Sequence, residues 1–277
     1  MQLVDWDPAA SWRYARGLAR AFAGAIVFSL PLLMTMEMWW LGFYLERTNL
    51  LQFILVNLAV LVGLSRLSGF EETATWFDDV LDAFSAYAVA VLASLMALTL
   101  FGILLAGMPA SEIVGKVAIQ SVPASFGAML AGKQFGARED EVARRDRRSY
   151  LGQLFLMLAG ALFLGFSVAP TEEMLLISHR MTPAHSAVLV LLSIVLLHGF
   201  VYTVGFKGQE KPEGPTDFLH VFLRFSIAGY AIAVLASFYV LWTFGRVDGS
   251  SWPEVAWMVA VLGFPSAIGA ALAPLVI

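Results

Sequence analysis

Ala88-Val-Ala-Val-Leu-Ala-Ser-Leu-Met-Ala-Leu-Thr-Leu-Phe-Gly102 returns 143 positions later as Ala231-Ile-Ala-Val-Leu-Ala-Ser-Phe-Tyr-Val-Leu-Trp-Thr-Phe-Gly245, with 9 of 15 positions identical. The chain is written twice around this stretch. Ala23-Gly24-Ala25, Glu37-Met38 and Gly63 match Ala159-Gly160-Ala161, Glu173-Met174 and Gly199, all 136 positions apart. Glu112, Pro123, Gly127 and Leu130 match Glu254, Pro265, Gly269 and Leu272, 142 apart. Duplication of an apolar chain predicts two quasi-equivalent helical bundles, with any site lying between them.

Composition fixes the class. The chain is 59% hydrophobic and 14% charged, with a mean hydropathy of +0.77, outside the range of soluble domains. A helix needs about 20 residues to cross a hydrocarbon core of ~30 Å. Eight stretches qualify, at roughly 20–44, 49–66, 83–107, 112–132, 150–171, 183–206, 222–245 and 254–276. They are continuously apolar, whereas strands of a lipid-facing barrel alternate. The expected fold is therefore all-α: a polytopic membrane protein of eight transmembrane helices, built as two parallel four-helix repeats. The first repeat covers 1–136, a charged cytoplasmic linker 137–149, and the second repeat 150–277. Four spans per repeat bring the second into the membrane in the same direction as the first, so the relating axis runs along the membrane normal.

The charge distribution sets the orientation. With the N-terminus inside, the inner segments carry 12 basic residues: Arg13, Arg16, Arg20, Arg66, Lys133, Arg138, Arg144, Arg145, Arg147, Arg148, Lys207 and Lys211. The outer loops carry only Arg47, Arg180 and Arg246. This predicts that both termini are cytoplasmic. The run 144–148 faces anionic lipid on that reading, and no nucleic-acid partner is implied. Between the second and third spans, 68–84 reads as an amphipathic helix in the inner interface, with Trp76, Phe77, Val80, Leu81 and Phe84 opposite five acids. Cysteine is absent, which excludes disulfides, thiolate metal sites and thiol nucleophiles.

Ionisable groups inside spans ask for a function. Glu37 follows Pro31 by six residues in the first stretch, and proline frees backbone carbonyls that can line a cavity. Its repeat partner is Glu173, beside Glu172. Two such carboxylates near a common axis would share a proton or hold a cation, because like charges close together cannot both ionise cheaply. The structural alternatives are a hydrogen bond to a neighbouring helix, or an interfacial position beside Trp39 and Trp40. Lys116 lies four residues after Glu112 and four before Gln120, on one helix face. It either pairs with Glu112 or Glu37, or places a fixed cation that adjusts the carboxylate site. Glu112 and Glu254 open their helices, and Ser251 three residues ahead of Glu254 reads as a capping box. Asn57 and His198 read as interhelical hydrogen-bonding groups, and the glycines of helices four and eight as close-packing faces.

Enzyme signatures are lacking. No P-loop, H-E-x-x-H or G-x-S-x-G occurs. Glu172-Glu173 lacks the arginine of an intramembrane Glu-Glu-x-x-x-Arg protease, since residue 177 is Ile. His179 and His185 are too few for a metal site, so the metal is unknown, and no cofactor is implied.

The run Ala23-Gly-Ala-Ile-Val-Phe-Ser-Leu-Pro-Leu-Leu-Met-Thr-Met-Glu-Met-Trp39 resembles the opening span of a family of bacterial integral membrane proteins that carry a domain of unknown function. The similarity extends over most of the chain. It implies a bacterial inner (cytoplasmic) membrane protein and transfers no mechanism.

The expected function is that of a multi-pass transporter or channel for a small cation, with proton coupling as one form of it. Its ion-binding residues are Glu37, Glu173, Glu172 and Lys116. The alternative is a non-transporting scaffold, sensor or partner subunit. The partners expected are the lipid bilayer and a small cation or proton, and a homo-oligomer is among the assemblies the sequence allows.

Overall fold

The computed structural model describes residues 8–68, 75–134, 150–204, 219 and 222–276, and no strand occurs among them. The helices are α1 (Pro8–Leu33), α2 (Met36–Tyr44), α3 (Arg47–Ser68), α4 (Trp76–Leu100) and α5 (Ala110–Gln134). They continue with α6 (Tyr150–Val168), α7 (Glu172–Arg180), α8 (Pro183–Val204), a π-helical segment (Phe222–Ile227) leading into α9 (Ala228–Thr243), and α10 (Trp252–Val276). The linker 137–149 lies outside the described residues.

Among the described residues, eight segments are long and apolar enough to cross a membrane: one each in α1, α3, α4, α5, α6, α8 and α10, and one in the π-helical segment with α9. The expected number of spans stands, but two boundaries move. The stretch 20–44 is not one helix, because α1 ends at Leu33 and α2 begins at Met36. Pro31 sits in the last turn of α1, where it removes a backbone donor. Of the expected interfacial helix 68–84, residues 69–74 lie outside the described residues, and 76–84 is not a separate helix. It forms the first turns of α4, capped by Thr75, whose hydroxyl accepts from the Asp78 N–H while the Asp78 carboxylate accepts from the Thr75 N–H at 3.0 Å.

The chain forms two compact units. One contains residues up to Met34 and Ile54–Gly136; the other contains Thr35–Phe53 and Ala137–Ile277. The boundary falls within α3. In the first unit α5 packs on α1 and α4, and α1 on α4. In the second, α10 packs on α6, α7, α8 and α9, and α6 on α9. The edge-to-face rings of Phe53 on Phe166 and Phe244, with centroids 4.9 and 5.4 Å apart, hold the start of α3 in the second unit.

Helices in lipid gain little from apolar burial against one another, so close backbone approach has to supply the attraction. Gly24 of α1 meets Gly127 of α5: a Cβ on either would collide with the other's carbonyl, and with Ala131 or Phe28. In the second unit Gly160 of α6 meets Gly269 of α10 in the same way, beside Ala273 and Leu164. Small buried residues continue the theme. On α4 the buried positions within 88–102 are Ala90, Ala93, Ser94, Ala97 and Leu98. On α9, within 231–245, they are Ala233, Ala236, Ser237, Val240 and Leu241, each 143 positions further on, and Thr243 as well. Both helices end at Phe-Gly, with Gly102 and Gly245 at φ +69°, a conformation in which a Cβ is strained. Large apolar side chains such as Val27, Leu55, Leu92, Leu191 and Leu235 stand on the outside, as in a protein solvated by lipid.

Gly127→Ala and Gly269→Ala each force two backbones apart, at the ~1–3 kcal/mol typical of overpacking. Thermal unfolding in detergent will show both melting earlier than the parent. Gly199→Ala, where nothing lies within 4 Å of the new Cβ, will match or exceed it.

Candidate functional site

Glu37 and the Glu172-Glu173 pair do not lie inside spans. Each sits in the first turn of a nine-residue helix, Glu37 on α2 and Glu172 and Glu173 on α7. Those helices are roughly 14 Å long, too short to cross a membrane. Thr35 and Thr171 hold the N-cap positions, and the acids behind them oppose the positive ends of the helix dipoles. The apolar pattern ran unbroken through 34–35, which is why Glu37 read as intramembrane.

The second unit gathers these groups. Arg246, just beyond Gly245, donates from Nη1 to Glu172 Oε1 at 2.9 Å and from Nη2 to the Pro170 carbonyl. That carbonyl belongs to the break between α6 and α7, so one guanidinium ties the break to the end of α9. The Tyr44 phenol lies in the same field. Burial raises its pKa above the usual value; Arg246 lowers it, and the carboxylates of Glu172 and Glu37 raise it again. Residues distant in sequence, Glu37 and Glu172, thus act on one hydroxyl. Glu37 is half-buried, while Glu173 is exposed and faces a surface concavity of about 450 Å³ lined also by Glu172, Leu175, Leu176 and His179. His179 Nδ1 lies 2.8 Å from the Leu175 carbonyl. Among the described residues no three His, Asp or Glu side chains come together in a way that could hold a metal ion.

The first unit holds the remaining predicted residue. Lys116 Nζ pairs with Glu112 Oε1 at 2.7 Å, one turn apart and both largely buried. One turn further, Gln120 donates to the Ser29 carbonyl at 3.5 Å, and Asn57 donates to Ser125 Oγ at 3.0 Å. At the start of α4, the buried Asp79 accepts from Ser65 and pairs with Arg66 at 3.6 Å. Glu37 and Glu172 thus fall in one unit, where each acts on Tyr44, and Lys116 pairs with Glu112 in the other.

Three readings hold in detail. Glu254 accepts from the Ser251 N–H and hydroxyl at 2.7 and 2.8 Å, as half of a capping box. Asn57 makes an interhelical hydrogen bond. His198 makes another, sharing it with Ser226 of the π-helical segment at 2.8 Å. The role of Arg246 was missed, although a signal existed. At the positions matching Glu172 and Arg246 the first half carries Met36 and Ile103, so the charge appears at both positions or at neither.

Residues 17–277 match the model of the family described as "Putative integral membrane protein (DUF2391)". The chain belongs to this family. It is an integral membrane protein with several apolar helices. No curated protein and no solved structure matches it.

Because folding raises the Tyr44 pKa, stability falls as pH climbs past the unfolded value of 10.0. Ultraviolet titration, with Tyr44→Phe assigning the signal, will show Glu172→Gln lowering this pKa and Arg246→Gln raising it.

Proposed function

We propose that this protein moves a small cation across the bacterial inner membrane, with proton coupling, and that Glu37, Glu172 and Glu173 first capture the ion. The observation that carries this reading is the convergence of Glu37, Glu172 and Arg246 on Tyr44, beside breaks in two helices. Broken helices leave backbone carbonyls outside the helical ladder, and carriers use such carbonyls to bind ions. Arg246, paired with Glu172 at 2.9 Å, then acts as a fixed counter-charge beside the cation that Glu37 and Glu173 bind. Lys116, held by Glu112, sets the charge of the first unit. On this reading the protein is no enzyme.

The same reading takes the chain as two parallel four-helix repeats with both termini cytoplasmic. It is supported by matched element lengths: α2 and α7 have 9 residues each, α3 and α8 have 22, and α5 and α10 have 25. The two glycine crossings and the two Phe-Gly ends fall at matching positions as well.

A scaffold or sensor is the second reading. It is favoured by the Glu172–Arg246 pair, the Glu112–Lys116 pair and the capped Glu254, each already neutralised or bonded within the fold. Cation flux into vesicles reconstituted with the pure protein separates the two. On the transport reading, the Glu37→Gln, Glu173→Gln double variant inserts normally and abolishes flux. Flux equal to the parent would remove these carboxylates from the mechanism, and no flux from the parent would favour the scaffold.

A further inference from the structure

The first unit buries oxygen atoms that its packing does not use. Asn57 on α3 is 2% exposed, and its Oδ1 has no hydrogen-bond partner. Gln120 on α5 is 1% exposed, and its Oε1 has none either. Both amide nitrogens are engaged, with Ser125 Oγ and the Ser29 carbonyl respectively. Ser29, Ser121 and Ser125 each send their hydroxyl hydrogen to a carbonyl of their own helix at 2.6 Å, which turns their oxygens outward as acceptors. Interhelical hydrogen bonding is the ordinary use of such groups in membranes, and it accounts for the nitrogens. It does not account for two amide oxygens left bare where no bulk water reaches, an arrangement that costs free energy unless something binds them.

The second half of the chain serves as an internal control. At the positions matching Asn57, Gln120, Ser29, Ser121 and Ser125 stand Ser193, Leu262, Gly165, Gly263 and Ala267. Four of the five polar groups are gone, and the Ser193 hydroxyl is bonded to the Leu189 carbonyl. Yet the glycine crossing beside them, Gly160 on Gly269, is kept. The fold of a unit does not require these oxygens.

We propose that the core of the first unit binds small monovalent cations at two stations, one at Asn57 Oδ1 and one at Gln120 Oε1, with help from the neighbouring serine oxygens. Oxygen ligands select hard cations, and amide and hydroxyl oxygens can replace part of a hydration shell. Every ligand is neutral, which suits one charge; divalent ions are held through carboxylates. Gln120 and Ser125 are roughly 7–8 Å apart along α5, so the oxygens form two neighbouring stations rather than one cage. Lys116, one turn from Gln120, does not repel the ion as a bare charge would, because Glu112 neutralises it at 2.7 Å. The inference goes beyond the cation-transport reading, because this site lies in the other unit from Glu37, Glu172 and Glu173, and it rests on binding and not on flux.

The test is thermal unfolding of the full-length protein in detergent, in sodium, potassium or choline chloride at equal ionic strength. Sodium or potassium will raise the melting midpoint over choline by ~3 °C or more at saturation. Gln120→Leu and Asn57→Ser, which install the second half's own residues, will abolish that difference. Gln120→Glu keeps the oxygens and adds a charge, and will enlarge it, which gives a readout should Gln120→Leu fold poorly. A shift the same in the parent and all three variants overturns the proposal. So does a parent that melts alike in all three salts, or whose midpoint follows pH alone. Cation-specific stabilisation without flux would retire the transport reading and leave this site standing; flux without stabilisation would retire the site alone.

Discussion

Everything in each unit depends on two helices approaching until their backbones touch. Lipid is as apolar as leucine, so a membrane bundle cannot be held by removing side chains from water. What remains is dispersion across well-fitted surfaces, and that grows only when Cβ atoms are out of the way. Gly24 on Gly127 and Gly160 on Gly269 supply that fit. The polar contacts follow from it: Gln120 reaches the Ser29 carbonyl because α1 and α5 are already close. Gly165 in the second unit lies against Ser266, which in turn bonds Ser237 at 3.0 Å. The alanine face of α4 extends the same principle to a third helix.

Much of this was legible in the chain. The eight spans follow from length and apolarity, and the positions repeated at 143 residues include the buried face of α4 and α9 together with its Phe-Gly end. What escaped was where a helix stops. The stretch 20–44 reads through Met34-Thr35 without a break, whereas the end expected at 171 lies close to Val168, where α6 stops. Pro31, expected to free carbonyls within a span, lies within one turn of a helix end. That shift of boundary changes the chemistry of Glu37, from a charge stranded in a span to an acid at a helix start. The Arg246–Glu172 pair escaped for another reason: nothing along one sequence shows that residues 74 apart meet, although Met36 and Ile103 at the matching positions hint at it.

The two units treat polar groups differently. In the second, the charged residues cluster where α6 gives way to α7, in reach of Arg246 and Tyr44. In the first, Glu112, Lys116 and the neutral Gln120 run down one face of α5, and Asp79 pairs with Arg66 at the start of α4. A duplicated protein with identical halves would do the same thing at both sites. Here the packing positions and the acids Glu37/Glu173 and Glu112/Glu254 are kept in both halves, while Lys116, Gln120 and Arg246 stand in one half only. The scaffold is held in common, and specialisation lies in what each half places upon it.

The crossing of α1 with α5 also bears on how the protein is made. The two contact glycines are about a hundred residues apart, and α1 and α5 are the least apolar of the eight candidate spans. α1 therefore enters the bilayer long before its partner exists and has to lodge there unaided. α5 carries the buried lysine and glutamine, and it arrives last in its unit, when the surfaces that will shield those groups are already in place. The order of the helices along the chain thus spares the most polar one from ever facing lipid alone. Biogenesis, no less than the finished fold, constrains where along such a chain a polar group can stand.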